Sequence, residues 1–214
     1  MIDDPPLVLT VFTPTFNRAH LLANLRDSLE RQTVKSFEWL VIDDGSSDNT
    51  EELLESWSAE DLPFEFRYVR VENGGKPRAI TMACDLAGGE YLFIVDSDDV
   101  VVDHGVEMLL EWIAESRSDL SCAGVGGVHG FRSASWQPPS FQVDPAIPMR
   151  CTNLERKRRV PGEMNEAYRV DVLAGYPFPV WRGESFVPEQ VVFDQMGLDG
   201  WKMHWREDVV CLGD

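Results

Sequence analysis

Tyr91-Leu92-Phe93-Ile94-Val95-Asp96-Ser97-Asp98-Asp99 decides how this chain is read. Its first five residues are apolar or aromatic, the composition of a short strand buried on both faces. Three carboxylates follow within the last four positions. A strand that runs out into such a cluster sets it at the edge of a sheet, outside the core. Like charges this close repel one another, and a divalent cation held by hard oxygen ligands is the simplest partner that relieves them.

The same grammar repeats upstream. Leu7 to Thr13 reads as a buried strand and Pro14-Thr15-Phe16-Asn17-Arg18 as the loop after it. Leu21, Leu22, Leu25 and Leu29 keep helical spacing. Glu38 to Ile42 is a second strand, closed by Asp43-Asp44-Gly45-Ser46-Ser47-Asp48, with Asp48/Glu51 and Asn49/Glu52 patterned as a capping box for the helix that carries Leu53, Leu54 and Trp57. Phe64 to Val71 is a third strand. Asn73-Gly74-Gly75 is a turn, and Pro77 opens a helix with Ile80, Ala83, Cys84 and Ala87 on one face. After the acidic cluster, Val106, Leu109, Leu110 and Ile113 mark another helix. Strands alternating with helices predict an α/β fold, a mostly parallel sheet with helices on both faces. Such sheets bind ligands outside the carboxyl ends of their strands. Thr13-Pro14-Thr15, Asp43-Asp44 and Asp96-Ser97-Asp98-Asp99 fall at three of those ends.

Beyond Leu120 the pattern loosens. Ser121 to Phe131 is glycine-rich and apolar, compatible with a strand, and Ser133 to Pro148 reads as a surface loop. Arg150 to Arg159 sets five basic residues against Glu155, which suits either a solvated loop or a patch for phosphates. Pro188-Glu189-Gln190 opens a helix expected to turn Val191, Val192 and Met196 inward, and Lys202 to Leu212 reads as one or two short strands.

Composition narrows the function. At 214 residues and 43% apolar content the chain supports one sizeable core. A net charge of −18 argues against nucleic acid as a partner, since phosphate backbones need a basic face. The first residues lack a signal-peptide pattern, and no apolar run approaches a membrane span. Cys84, Cys122, Cys151 and Cys211 show neither metal spacing nor a dense framework. The expected setting is cytoplasmic, with at most peripheral contact at the inner face of the membrane.

Individual residues suggest chemistry. Asp96 and Asp98, two apart beyond a strand, can converge on one ion that would bridge to a diphosphate. A carboxylate at Asp43 or Asp44 can accept the ring imide N–H of uracil. Lys76 and Arg78, at a helix start after Gly-Gly, suit an anion.

Taken together, Thr13 to Arg18, Asp43 to Asp48, Asn73-Gly74-Gly75-Lys76 with Ala79, and Asp96 to Asp99 resemble, in order and spacing, the family 2 glycosyltransferases of the GT-A fold. That resemblance implies transfer of a sugar, with inversion, from a nucleotide diphosphate sugar, most simply a UDP-sugar, to a saccharide or lipid-linked acceptor in surface polysaccharide or lipopolysaccharide assembly. It implies a single domain over 1–214, with a nucleotide-sugar half over 1–115 and a smaller acceptor half over 116–214. It places Pro14, Thr15, Phe16, Arg18, Asp43, Asp44, Asn73, Lys76, Asp96 and Ser97 around the nucleotide. It gives Mn²⁺ or Mg²⁺ to Asp98, with Asp96 and Asp99 beside it. Gly183 to Glu189 resembles the segment that carries the catalytic base in many bacterial members, which makes Glu189 the candidate base and Glu184 the alternative. Inversion needs one such group to take the acceptor proton. His204 is a further candidate ligand for the metal. Rival readings are a sugar-phosphate nucleotidyltransferase, which would want glycines where Pro14 to Arg18 stand, a phosphoryl-accepting receiver domain, and a family member that only binds nucleotide sugar.

Overall fold

A computed structural model describes residues 7–133, 135–139, 148–160, 162–179 and 187–213. In chain order the elements are β1 (Leu9–Thr15), α1 (Ala19–Glu30), β2 (Glu38–Asp43), α2 (Thr50–Ser58), β3 (Glu65–Arg70), α3 (Lys76–Leu86), β4 (Tyr91–Ile94), β5 (Val100–Val101), α4 (Gly105–Ser116), β6 (Cys122–Phe131), β7 (Met149–Cys151), α5 (Asn153–Arg159), β8 (Met164–Arg169), α6 (Val170–Leu173), α7 (Gln190–Leu198) and β9 (Lys202–Gly213). The nine strands share one sheet in the order β3-β2-β1-β4-β8-β6-β9-β5, with β7 paired to β9. The β3-β2-β1-β4 half is wholly parallel. Beyond it β8 runs antiparallel to both β4 and β6, while β6 and β9 are parallel.

Strands β1, β2 and β4 are buried on both faces, while β3 at the sheet edge is half-exposed. Val11, Trp39, Val41 and Phe93 point into one core with Leu22, Leu25 and Leu29 of α1, Leu54 of α2 and Leu109 of α4. Phe12, Leu40, Ile42 and Leu92 point into the other with Ile80 and Ala83 of α3, Val172 of α6 and Phe193 and Met196 of α7. Each of these three strands therefore supplies apolar side chains at successive positions, as a parallel sheet covered by helices on both sides requires. Glu38, at the start of β2, is a charged exception and fully buried. It accepts from Thr10 Oγ1 at 2.7 Å and from the Gly88 amide at 2.9 Å, and it pairs with Arg67.

Several local expectations are corrected. Pro14 lies within β1, opposite Ile42, and not in a loop. It is tolerated because β1 bonds its two neighbours alternately. Phe12 O accepts from Val95 and Thr15 O from Asp44, so the Pro14 nitrogen faces the side where the β4 ladder has already ended. The capping box on α2 does not form. Asn49 is the cap residue, without a side-chain cap bond, and Asp48 accepts instead from the Thr50 amide, the Thr50 hydroxyl and the Ala19 amide. The basic stretch after Arg150 is a strand and a helix, and α5 carries the reciprocal Thr152/Glu155 capping box. In α7 Val192, Phe193 and Met196 turn inward while Val191 is about half exposed. The last segment is one twelve-residue strand, kept continuous by register shifts against β6.

Candidate active site

The carboxyl ends of β1, β2 and β4 carry three loops, and hydrogen bonds tie them together. Asn17, in the left-handed region at φ 55°, accepts through Oδ1 from the Ser47 and Asp48 amides at 2.7 and 3.2 Å, and its own amide donates to Ser46 Oγ at 2.8 Å. The loop after β1 is thereby fixed to the loop after β2. Asp43 is fully buried, and its Oδ1 accepts from the Ser46 amide at 2.9 Å. Asp44, 5% exposed, spends its carboxylate on the next turn along the sheet. Oδ1 accepts from the Gly74 amide at 2.8 Å, and Oδ2 from the Gly75 amide at 2.8 Å and from Asn73 Nδ2 at 3.1 Å. Gly75 caps α3 with φ 86°, a conformation open to glycine and strained for other residues. Lys76 is the first residue beyond it.

Lys76 reaches the acidic cluster. Its Nζ lies 2.5 Å from Asp96 Oδ1 and 2.8 Å from Glu189 Oε1. Burial pulls the Lys76 ammonium down, but Asp96 and Glu189 more than offset it, and the net shift is upward. Arg18, at the cap of α1, places Nη1 2.8 Å from Asp98 Oδ2. Asp99 is buried against His129, with Oδ2 3.6 Å from Nδ1. Burial pushes the Asp99 carboxyl up to about 6; the His129 ring opposes this and the Asp96 and Asp98 charges add to it. This local excess of negative charge is what an added cation would relieve.

These groups open into a cleft of about 740 Å³. Lys76, Asp96, Asp98 and Asp99 form one wall; Arg156, Lys157, Glu166 and Glu189 belong to the wall made by α5, β8 and the start of α7; His129 and Asn165 lie between. Asp43, Asp44, Pro14 and Thr15 do not line it. They stand behind it, and Asp44 acts on it through the turn that leads to Lys76. Phe16 is exposed beside them, and Ser97 and Thr15 are buried. Glu184 lies outside the described residues.

The donor set suits a divalent cation in kind, being carboxylate oxygen. Among the described residues no three His, Cys, Asp or Glu side chains form a ready-made cage. A cation there would draw on one or two carboxylates and on phosphates of the ligand, the usual arrangement for Mg²⁺. His204 does not reach this cluster's loop. It sits near the start of β9 with Nε2 3.0 Å from Asp119, and it is buried.

Sequence reasoning missed His129 and Glu166. His129 ends Val128-His129 near the carboxyl end of β6, so the strand-end rule that picked out Asp96 would have found it had the strand been bounded. Glu166 lies in Met-Asn-Glu-Ala-Tyr-Arg, where polar residues that face the cleft erase the apolar signal of a central strand.

A parallel β1–β4 core with an acidic cleft at its carboxyl edge defines an α/β protein of the GT-A type. The chain belongs to glycosyl transferase family 2, whose profile matches residues 10–177. Glycosyltransferase GlyG of Streptococcus pneumoniae serotype 4 is 32% identical over 114 residues, which are 53% of this chain and 37% of that protein. The poly(ribitol-phosphate) beta-N-acetylglucosaminyltransferase TarS of Staphylococcus aureus is 29% identical over 123 residues, 56% of this chain and 21% of TarS. The chain thus spans well under half the length of these relatives. Residues 1–349 of S. aureus TarS in complex with UDP superpose with a TM-score of 0.74 at 20% identity, covering 96% of this chain and 60% of that one. The mannosyltransferase PcManGT of Pyrobaculum calidifontis, in complex with GDP-Man and Mn²⁺, superposes with a TM-score of 0.67 at 20% identity, covering 99% and 60%. At these identities the structural likeness establishes the shared fold.

Proposed function

We propose that this chain is the catalytic domain of an inverting glycosyltransferase that moves a sugar from a UDP-sugar to a saccharide or lipid-linked acceptor in surface polysaccharide or lipopolysaccharide assembly. The observation that carries this reading is the junction at Lys76. One ammonium joins the turn held by Asp44, the Asp96 cluster and Glu189 of the opposite wall within a single cleft. The bound nucleotide of TarS and the family membership support the donor class.

In this reading Pro14 to Arg18, Asp43, Asp44 and Asn73 hold the nucleoside, with Asp44 acting chiefly by fixing the Asn73–Gly75 turn. Asp96 and Ser97 face the ribose. Arg18 and Lys76 supply fixed positive charge for the diphosphate, preorganised by the carboxylates they now pair with. Asp98, with Asp96 and Asp99 beside it, would hold Mg²⁺ or Mn²⁺, which when bound neutralises charge on the departing diphosphate. Donor binding draws Lys76 toward phosphate and frees Glu189 to take the proton of the acceptor hydroxyl as its oxygen attacks the anomeric carbon. Among the described residues no helix is long and apolar enough to cross a membrane. Peripheral contact with a lipid-linked acceptor, at the inner face, is part of this reading.

A screen of nucleotide sugars with Mn²⁺, read as release of free nucleoside diphosphate, tests the proposal. Release from one UDP-sugar, abolished in Asp98→Ala, is expected. Full release by Asp98→Ala would remove the metal role, and no release from any donor would remove the transferase reading.

A further inference from the structure

The wall opposite the acidic cluster contains a carboxyl with no work in the mechanism above. Glu166 lines the cleft one step beyond the Phe93–Ala167 pair of β4 and β8, level with Ile94. Asp96, Asp98, Asp99 and Glu189 all face a cationic or imidazole partner. Among the described residues the Glu166 carboxylate accepts no hydrogen bond and enters no ion pair, and it lines the cleft.

The backing of Glu166 is built. Arg156 is 4% exposed and donates through Nη1 to the carbonyls of Val160 and Gly162 at 3.2 and 2.9 Å. Its guanidinium carbon lies 5.1 Å from the centroid of the Trp205 ring, and Trp205 is itself anchored by Nε1 to Cys151 O at 3.1 Å. Trp205 fits because β6 carries glycine opposite it; a Cβ on Gly126 would lie 2.7 Å from the ring. A fixed, desolvated positive charge thus stands in the same wall as Glu166 and acts on it.

We infer that Glu166 is the acceptor-binding residue of this cleft, its two carboxylate oxygens accepting from adjacent hydroxyls of a polyhydroxy acceptor. The inference rests on the proposed transferase function for its biological meaning, but the binding site stands on its own. A carboxylate has acceptors only, and its paired oxygens match two neighbouring O–H donors. Arg156 and Lys157 of α5 and Lys76 of α3 already act on Glu166, with Glu189 at the start of α7 opposing them, which makes a second cation a poorer occupant than a neutral hydroxyl pair. Burial holds the Glu166 carboxyl up at about 7, with Arg156 opposing and Glu189 adding to the rise. The accepting form is therefore gained as pH rises through neutrality.

Saturation-transfer NMR with methyl β-D-glucopyranoside as the probe, and cyclohexanol as a ring without adjacent hydroxyls, tests this. Wild type is expected to bind the glucoside more tightly at pH 8 than at pH 6. Glu166→Gln should lose that pH dependence, and Glu166→Ala should bind at least tenfold more weakly with UDP affinity unchanged. Equal binding by wild type and Glu166→Ala, no binding by wild type, or a parallel loss of UDP affinity would overturn the assignment. Glucoside binding that needs Glu166, in a protein that releases nucleotide from no sugar donor, would support this site and overturn the transferase reading.

Discussion

Replacing Asp44 separates two ways in which a buried carboxylate can serve a nucleotide. If Asp44 reads the base directly, Asp44→Asn and Asp44→Ala weaken UDP binding and leave the fold alone. If it organises the turn before Lys76, both stability and binding suffer. The structure favours the second outcome, because three donors converge on this carboxylate. A hydrogen bond to a charged group is worth about 1.5–3 kcal/mol. The turn is half exposed, so water takes up part of the loss, and the two amides at 2.8 Å count at the lower end of that range. Asp44→Ala should then cost about 3 kcal/mol, which for a domain of this size lowers the melting midpoint by about 6–12 °C. Asp44→Asn keeps one accepting oxygen and should cost about half as much. Urea unfolding gives the stability and calorimetric titration with UDP gives the affinity. Loss of UDP binding with stability within about 0.5 kcal/mol of wild type would refute the turn-organising role.

Three further outcomes are expected. Glu189→Gln should bind UDP as wild type does while acceptor-dependent turnover falls about 10²–10⁴-fold in a steady-state assay, the range for a lost general base. Glu38→Ala should lose about 2–3 kcal/mol in urea unfolding, because it removes a fully buried carboxylate that accepts from Thr10 and Gly88, while its partner Arg67 is half-exposed and can turn to water. The Ser121 hydroxyl and then His204 hold the Asp119 carboxyl down at about 2, against an ordinary value of 3.8. A lowered folded-state value means stability present above pH ~4 and lost as pH falls toward 2. Screening at this partly exposed site leaves about 1 kcal/mol of it, so Asp119→Asn should flatten the acid limb of a Tm-against-pH curve between those values.

Strands β1, β2 and β4 were legible because they are buried on both faces and so read as apolar runs closed by polar residues. Those closures also marked most of the candidate site: Arg18, Asp44, Lys76, Asp96 and Asp98 were found at strand ends and helix starts. The antiparallel half was not legible in the same way. In β8 Glu166 and Asn165 face a cleft, so a central strand looks like a polar segment. In β6 glycines replace the side chains that would announce a strand, because Trp205 and Val210 occupy their space. Pro14 looked like a loop because its missing amide is harmless only when the neighbouring strand is known to have stopped. Pairings such as β5 with β9, more than a hundred residues apart, leave no local trace at all.

Gly126 has a reach that its position conceals. Any side chain there would press on the indole of Trp205, and the indole seats the guanidinium that backs Glu166. The contour of the cleft wall is therefore adjustable from beneath, by a residue that does not line the cleft. Changes in what this protein accepts can arise under the floor, and a mutant library confined to positions that line the opening would never sample them.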